Sequence, residues 1–401
     1  MNTVIKLTST QAAAMAENLK LIKAEKAILT LNVAPNGKYM QNSLVMANEG
    51  EQVQSVIWST FIEGIEAVKT ELIVETNLAQ ALDTLKNLNS DIEIRKEEDE
   101  YFFCVEGQVP KVPIKVLAEK PEIASPDQAS LIAQYQVSGK ELSTKLAEVD
   151  RTDSTAAQEI CKAVTAVLGN NIKLVSGDGP TIGRAIITPK AGSLENEVPV
   201  AIPAKYIAAI KKVAAMSETI SLAVFGSSIA IGSPSLVYMA SLGTTSMPAP
   251  AIERIEGWSE MSTEASFTVD NGQLEALIAT LRIGAGEKKT KPIIVFSNDN
   301  GQIQMKGFDG TSVILPCSKI EGAVKTVALN SNLLEKLIKQ LKRGNITVSI
   351  ADDINTPCRI QNGTVAEPVK DSVLFLLKTN LKQAEKDAAA ESASAPDETQ
   401  E

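Results

Sequence analysis

The sequence predicts an α+β fold in which one structural unit, β-α-β-β-β, occurs six times along a chain of 401 residues. Three observations predict it. One copy of the unit can be read clearly near the C-terminus, and the same order of elements recurs in five other stretches. A hydrophobic content of 44% is enough for a separate core in each of two or three domains.

The clearest copy occupies residues 326–379. Residues 326–330 alternate like a strand, and Asn330 or Ser331 can cap the helix that follows. Gly344 ends this helix, and three β-type runs follow it. The apolar stripe of the helix is formed by Leu333, Leu334, Leu337, Ile338 and Leu341, and the three runs are 345–350, 357–361 and 372–379.

The same order of elements recurs upstream. The other copies are 198–243 with a helix at about 204–216, 265–320 with a helix at 273–283, 70–117 with a helix at 77–88, an N-terminal stretch whose later strands are unclear around 39–62, and 131–190 with a strand at 131–137 and helical residues between 139 and 168.

Six units pair naturally into three similar domains of two units each. The joints between them, 118–129 and 251–264, are rich in Ser and Glu, and the first also in Pro, as linkers tend to be. Residues 382–401 are rich in Ala, Ser and acids and contain no large apolar residue, which predicts a disordered acidic tail. The expected domains are 1–118, 129–251 and 264–381.

The composition argues against most classes of enzyme. The chain contains no histidine, which removes the commonest general base, the usual partner of a catalytic serine or cysteine, and the commonest zinc ligand. Its four cysteines lie far apart and show no CxxC or zinc-ligand spacing, so we expect buried, reduced thiols. We therefore predict a protein that is not an enzyme and that needs no metal or cofactor.

The hydropathy of the chain predicts a cytoplasmic protein. No apolar run approaches the roughly 20 residues that cross a bilayer. The first twenty residues lack the basic and apolar regions of a signal peptide.

The basic residues are concentrated on the predicted helices, although the formal net charge is -10. In the helices 204–216 and 332–343 Lys and Arg outnumber acids, whereas strands and loops are strongly acidic. On one amphipathic helix surface lysines are ordinary. Segregation over the whole chain, however, would let helices on a concave surface meet a phosphate backbone in salt-screened, sequence-independent contacts.

A glycine-rich stretch, KLVSGDGPTIGRAI at 173–186, has the composition of a phosphate-binding loop. Such a loop needs a strand-to-helix turn with free N–H groups. Here one strand leads to another, Pro180 removes a donor, and the Walker lysine is absent. We interpret the stretch as a β-β connection whose turn is shaped by Asp178 and Gly179. The residues expected to be exposed beside it are Thr181, Ile182 and Arg184.

Three domains of two such units, with the helices on one side, resemble the bacterial-type sliding clamp, the β subunit of DNA polymerase III. Motifs carry the resemblance over residues 130–381, and architecture alone carries it over the first 117. KLVSGDGPTIGRA resembles the family's Val-Ala-Thr-Asp-Gly-His-Arg-Leu-Ala segment, SLGTTSMPAP resembles Gly-x-Phe-Pro-x-Tyr, and EGAVKTVALNSNLLEKL resembles Gly-x-x-x-x-Ile-x-Phe-Asn-x-x-Tyr-Leu. Of the family's C-terminal Tyr-Val-Val-Met-Pro-Met-Arg-Leu only Leu381 is kept. A divergent member, such as one carried by a phage or plasmid, has these features.

The resemblance implies a head-to-tail homodimer that forms a ring around duplex DNA, with helices lining the channel and antiparallel sheets outside. A closed ring holds DNA by topology, so a low affinity for DNA permits sliding. The residues that it assigns to the channel are Lys20, Lys23, Lys205, Lys211, Lys212, Arg282, Lys336, Lys339, Lys342 and Arg343.

The resemblance also implies a pocket between the second and third domains, into which the replicative polymerase, the clamp loader and repair proteins insert a short apolar peptide. A place in the core is as strongly expected for three of its candidates, Ile346, Val348 and Leu376. The expected walls are Gly179, Thr181, Ile182, Arg184, Pro248, Ile320, Ile346, Val348, Leu376, Leu377, Thr379 and Leu381.

Ring closure in the family pairs the first domain of one chain with the third domain of the other. For each candidate taken singly, a core role is somewhat more strongly expected. The candidate interface residues are Tyr101, Phe102, Phe103, Leu281 and Ile283.

Other classes of function stay open. A non-encircling DNA-binding or polymerase accessory factor could share the fold as a monomer, and a repeat-built structural protein would need no basic helices. An enzyme is the weakest alternative, because the paired acids of EIRKEEDEYF (93–102) are typical of a solvated hairpin.

Overall fold

The structure is a computed structural model. It describes residues 2–21, 26–33, 40–47, 53–60, 68–75, 91–105, 111–114, 130–153, 155–233, 235–283, 292–307, 310–341 and 344–379.

Helices and strands follow one another in a regular order through these ranges. The α-helices are α1 (Ser9–Leu19), α2 (Gly139–Val149), α3 (Ala204–Ala215), α4 (Ala249–Glu260), α5 (Asn271–Ile283) and α6 (Ser331–Gln340), and a 3-10 helix spans Glu159–Lys162. The strands are β1 (Asn2–Leu7), β2 (Lys26–Val33), β3 (Met40–Ala47), β4 (Val53–Thr60), β5 (Val68–Glu75), β6 (Ile92–Glu97), β7 (Glu100–Val105), β8 (Lys111–Ile114), β9 (Leu131–Ser138), β10 (Ala163–Leu168), β11 (Ile172–Gly177), β12 (Thr181–Ile187), β13 (Val198–Pro203), β14 (Thr219–Phe225), β15 (Ser228–Ser233), β16 (Leu236–Ser241), β17 (Ala265–Asp270), β18 (Pro292–Ser297), β19 (Ile303–Lys306), β20 (Ser312–Ile314), β21 (Lys319–Gly322), β22 (Val327–Asn330), β23 (Asn345–Ile350), β24 (Cys358–Asn362) and β25 (Ser372–Leu376).

The order of these elements confirms the repeated unit. Five units read β-α-β-β-β: β1-α1-β2-β3-β4, β9-α2-β10-β11-β12, β13-α3-β14-β15-β16, β17-α5-β18-β19-β20 and β22-α6-β23-β24-β25. The sixth contributes β5, β6, β7 and β8, and its expected helix at 77–88 lies outside the described residues. Two elements stand between units, α4 after β16 and β21 after β20.

Each unit gives its first strand to the sheet of its neighbour. In the first pair of units β1 pairs with β6 and β5 pairs with β2, both antiparallel. The exchange ties the two units of a pair together. The four sheets are β1-β6-β7-β8, β5-β2-β3-β4-β16-β15-β14-β9, β13-β10-β11-β12-β25-β24-β23-β17-β21 and β20-β19-β18-β22.

The two long sheets form where the last strands of two units meet. β4 pairs with β16, and β12 pairs with β25 from Thr181↔Leu376 to Ala185↔Ser372. The two four-stranded sheets end in β8 and β20, and neither strand has a second neighbour among the described strands.

Helices α2, α3 and α6 pack against one face of the sheets, and α4 packs against the other. Leu142 of α2 and Ile210 of α3 are buried in one apolar cluster with the sheet residues beneath them, and Leu334 of α6 is buried in a second. Burial of a side chain of this size contributes roughly 1.5–3 kcal/mol to the free energy of folding, relative to leaving it exposed. Gly183 lets α2 approach β12 closely, because a Cβ there would lie 2.6 Å from the backbone of Val149.

Local signals explain where the helix of the clearest unit begins. Asn330 is the N-cap of α6, as predicted, since its side chain accepts hydrogen bonds from the backbone N–H groups of Asn332 (3.0 Å) and Leu333 (3.1 Å). The predicted hairpin at 93–102 is also confirmed, because β6 and β7 pair there.

Two segments differ from the prediction. Residues 163–168, expected within a helical stretch, form β10, and all six are buried. A continuous apolar run fits a strand that is covered on both faces, so periodicity alone does not separate it from a buried helix. Residues 251–264, expected as a linker, belong largely to α4, which buries Ile252 and Ile255.

Candidate functional site

The glycine-rich stretch forms the β-β connection that the sequence predicts. β11 and β12 pair, and Oδ1 of Asp178 accepts hydrogen bonds from the backbone N (2.9 Å) and Oγ1 (2.7 Å) of Thr181. Gly179 has φ 101°, a conformation that strains a side chain. The backbone N–H of Leu377 donates to the carbonyl of Pro180 (2.9 Å), so this turn lies against the end of β25.

The residues beside the turn are less exposed than expected, and they lie on two faces of the sheet. Thr181 is 2% exposed and Arg184 is 6% exposed. Successive side chains of a strand point to opposite faces. Because Gly183 and Ala185 face α2 and its cluster, Thr181 lies on the helix side, whereas Ile182 and Arg184 lie on the outer side.

Most of the predicted pocket residues that follow α4 in the chain belong to the helix side. Ile320 is half-buried against the α6 cluster. Leu377 is exposed, Thr379 is half-buried, and Leu381 lies outside the described residues. Three further members are buried in the core: Ile346, Val348 and Leu376.

A polar cavity of about 550 Å³ lies on the helix side, between the end of α2, the turn at Asp178 and α6. Arg151 lines it and is 6% exposed; its guanidinium donates to the carbonyls of Asp150 (3.0 Å) and Glu148 (2.9 Å). Its Nε has no hydrogen-bond partner among the described residues. Burial lowers the pKa of Arg151 to about 10, so its guanidinium stays positively charged at neutral pH. Asp150, Asp153 and Asp178 line the same cavity.

On the outer face, α4 covers the place where β12 meets β25. Ile252 and Ile255 are buried there, and the ring centroid of Trp258 lies 6.1 Å from that of Phe375. Ile182 packs against the same apolar cluster. We call the sheet side of this contact the junction patch; it comprises Val167, Val175, Val373 and Phe375.

Two arginines of the sheet hold α4 in place. Arg184 of β12 donates from Nε (3.0 Å) and Nη2 (2.5 Å) to the two carboxylate oxygens of Glu256. Arg359 of β24 donates to the carbonyls of Ser259 (2.8 Å) and Met261 (2.9 Å) at the end of the helix. The arginines come from opposite sides of the β12-β25 junction, so α4 is bound to both.

Basic residues near α1 and α3 share one acid. Nζ of Lys20 lies 3.1 Å from Glu17, and Nζ of Lys212 lies 2.6 Å from it. The hydrogen bond from Lys212 is the largest cause that lowers the pKa of Glu17. The pair therefore links the first unit of the chain to the fourth.

The basic residues of α5 and α6 are paired in the same way. Arg282 and Lys339 both form ion pairs with Glu335, Lys339 at 2.5 Å. Lys211 and Lys336, in contrast, have no ion-pair partner among the described residues.

The remaining channel candidates fall into two groups. Nζ of Lys205 lies 5.1 Å from the ring centroid of Tyr206. Lys23, Lys342 and Arg343 lie outside the described residues. With the observed helix bounds, the excess of basic charge is concentrated on α3, since Lys20 follows the end of α1 and α2 is balanced.

Comparison with known proteins identifies the fold. No family model and no curated protein matches the sequence. Solved structures match nearly the whole chain: a DNA polymerase sliding clamp from Pseudomonas aeruginosa (14% identity, 95% of this chain and 100% of that chain, TM-score 0.76), the DNA polymerase III beta chain from Streptococcus pneumoniae (13%, 94% and 99%, 0.73) and the DNA polymerase III beta subunit from Thermotoga maritima (16%, 94% and 99%, 0.70).

The chain has the sliding-clamp fold. The resemblance noted from the sequence is thereby confirmed for the fold, including three similar domains of two units each. The identities of 13–16% are too low to transfer any residue's role.

Within this clamp fold, the predicted interface residues divide between core and surface. Phe103 and Leu281 are 0% and 2% exposed and belong to the chain's own cores. Tyr101 and Phe102 are half-buried on β7, and Ile283 is the last residue of α5.

Two other features, a metal site and a membrane-spanning helix, are absent from the described residues. No three His, Cys, Asp or Glu side chains in it converge on a possible metal position. Among the helices it contains, none is long and apolar enough to cross a membrane.

Sequence reasoning missed four residues that the clamp fold brings to the junction: Arg151, Glu256, Trp258 and Arg359. A signal for α4 was present, since Ile252, Ile255 and Trp258 recur at spacings of three residues, as on one face of a helix. For the arginines no local signal exists, because their partners are distant in sequence.

Proposed function

We propose that this protein is a DNA sliding clamp, a homodimeric ring that encircles duplex DNA and tethers a replicative polymerase for processive synthesis. The observation that carries the proposal is the clamp fold, which matches solved sliding clamps over 94% or 95% of this chain. Such a ring performs no covalent chemistry, so the proposal needs no catalytic residue. We assign its domains to 1–118, 129–251 and 264–381, and its location to the cytoplasm.

The outer edges of β8 and β20, which have no second neighbour among the described strands, support ring closure. Inside the chain, each junction joins the last strand of a domain's first unit to the last strand of the next domain's second unit, as β4-β16 and β12-β25 do. The same rule pairs β20 of one chain with β8 of its partner. Two such contacts close a ring of six domains. Unpaired edges otherwise invite uncontrolled association, and β20 carries Ile314, which is 53% exposed.

The charges near the helices support weak, sliding contact with DNA. Lys211 and Lys336 form no ion pair with a described acid, whereas Glu17 and Glu335 form ion pairs with several of the other candidates. Contacts of this kind are screened by salt and carry no sequence preference. The ten channel residues named from the sequence remain assigned to the channel in this proposal.

Partner proteins, among them the polymerase and a clamp loader, are proposed to bind at the junction of the second and third domains. The outer-face residues Ile182, Arg184 and Pro248 keep their place in this site. Ile346, Val348 and Leu376 support it from the core beneath.

The mass of the protein in solution tests the ring. The wild-type chain is expected to have the mass of a dimer by light scattering, and Ile314→Asp is expected to have the mass of a monomer, because a buried carboxylate at the β20 edge opposes pairing. Ile354→Asp is the matched control, since Ile354 is 51% exposed and lies away from both edges. A monomeric wild-type protein, or equal masses for both variants, would contradict closure through β20.

A further inference from the structure

Helix α4 covers the outer surface on which the proposed function places partner peptides. Ile182, Arg184 and Pro248 from the predicted pocket all contact or adjoin this helix. The junction patch beneath it is almost completely buried, since Val373 and Phe375 are 1% and 0% exposed. A partner peptide can reach the patch only when α4 leaves it.

The sequence of α4 gives the helix little stability of its own. Pro248 at the N-cap makes no side-chain hydrogen bond. Gly257 lies in the helix interior, where glycine is unfavourable relative to alanine by roughly 1 kcal/mol. Glu256 and Glu260 lie near the C-terminal end, where the helix dipole favours cations instead. The helix is therefore stabilised mainly by its contacts with the sheet.

The contacts of α4 show which side chains the sheet surface beneath it can bind. Ile252 and Ile255 fill the apolar part, Trp258 packs at an angle of 54° on Phe375, and the Glu256 carboxylate receives the fork of Arg184. This is the pattern by which an amphipathic helix binds in a groove, with apolar anchors three or four residues apart.

We propose that α4 is the resident occupant of a peptide-docking groove and that partners bind by displacing it. The groove consists of the junction patch, Ile182 and Arg184. The displacing segment is an amphipathic helix with two aliphatic anchors, one aromatic anchor and an acidic residue for Arg184. The proposal rests on the proposed function, because it takes this groove to be the site where a clamp-binding partner docks.

The probe for this proposal is a fluorescein-labelled synthetic peptide with the sequence of residues 248–261, PAPAIERIEGWSEM. Its affinity is measured by fluorescence anisotropy against the full-length chain and against the double variant Ile252→Asp, Ile255→Asp, which releases α4 and leaves the groove intact. We expect the released variant to bind the probe at least tenfold more tightly than wild type. Glu253→Ala, on the exposed face of α4, is the control and binds as wild type does.

Two further arms test the mechanism. Gly257→Ala in the chain, where no atom beyond the neighbouring helix backbone lies within 4 Å of the new Cβ, is expected to weaken probe binding about fivefold by stabilising the closed helix. A probe peptide carrying Glu256→Lys is expected to bind at least tenfold more weakly than the native probe.

Several results would overturn the proposal. Equal affinity of the released and wild-type chains would do so, as would equal affinity of the two probes. If the released variant fails to fold, Gly257→Ala decides alone, and an unchanged affinity then refutes displacement. Retention of the wild-type chain on circular DNA is measured in parallel. If the peptide results are as expected but the chain does not stay on circular DNA, only the clamp function is refuted. If the chain stays on circular DNA but the peptide results are not as expected, only the displacement of α4 is refuted.

Discussion

In the ion pair between Arg184 and Glu256, removing the acid should lower the free energy of opening α4 more than removing the base does. The pair is bidentate, with bonds of 3.0 and 2.5 Å, and it joins β12 to α4. The Arg184 side chain is 7% exposed, whereas that of Glu256 is 23% exposed. We compare Arg184→Met, which keeps the apolar stem, with Glu256→Ala, which keeps the helix.

The magnitudes follow from the unequal burial. Arg184→Met removes the two charge-assisted hydrogen bonds to Glu256, and also the bond from Nη1 to the carbonyl of Lys370 (3.2 Å), which lies outside α4. It leaves a carboxylate that can turn towards water, so we expect a loss of about 2 kcal/mol in the free energy of opening α4. Glu256→Ala leaves a buried guanidinium without its counter-charge, for which the expected loss is about 3–4 kcal/mol.

Hydrogen exchange of the amides in α4, followed by mass spectrometry, measures this free energy directly. A local measurement is needed because a chain of several domains does not unfold in a two-state manner. Glu253→Ala on the same helix should change the opening free energy by less than about 0.5 kcal/mol. The reasoning would be refuted if Arg184→Met cost more than Glu256→Ala, or if the control cost as much as either.

Three further predictions concern other parts of the fold. Lys212→Ala should raise the pKa of Glu17. In the wild-type protein, the depressed pKa of this carboxylate stabilises the α1–α3 contact at a pH above the ordinary carboxylate pKa, and this stabilisation is lost as the pH falls through the depressed pKa. An unchanged Glu17 titration by NMR would argue against the bridge. Gly183→Ala should lower stability by about 1–3 kcal/mol, because its Cβ would lie 2.6 Å from the backbone of Val149, and an unchanged melting temperature would contradict this close approach. Cys358, which is 0% exposed and whose pKa burial raises to about 12, should resist a thiol reagent at pH 8 in the native protein and react in denaturant; rapid native labelling would show that the strand opens.

The repeated unit could be predicted from the sequence because its signals are local. The N-cap Asn330 and the apolar stripe of α6 are neighbours along the chain, and the structure confirms both. β10 could not be predicted in this way, because the run AVTAVL is apolar without a period.

The candidate site was less accessible to sequence reasoning. Thr181 and Ile182 are adjacent, yet they lie on opposite faces of the sheet, so an alignment uncertain by one residue reverses the assignment. The Ser and Glu content of residues 251–264 predicts a linker, although Ile252, Ile255 and Trp258 recur with helical spacing. The arginines that hold α4, Arg184 and Arg359, lie far from it in sequence. Tertiary contacts of that kind leave no local pattern.

The central claim, that the protein encircles DNA, is tested most directly by retention on circular and linearised DNA. Protein bound to a nicked circular plasmid is isolated by gel filtration, and half of the sample is then cut once with a restriction enzyme. We predict that the protein stays on the circles at a salt concentration that screens its helix charges and is lost from the linear molecules by sliding off their ends. Equal retention on both forms, or equal loss from both, would contradict a ring that holds DNA by topology.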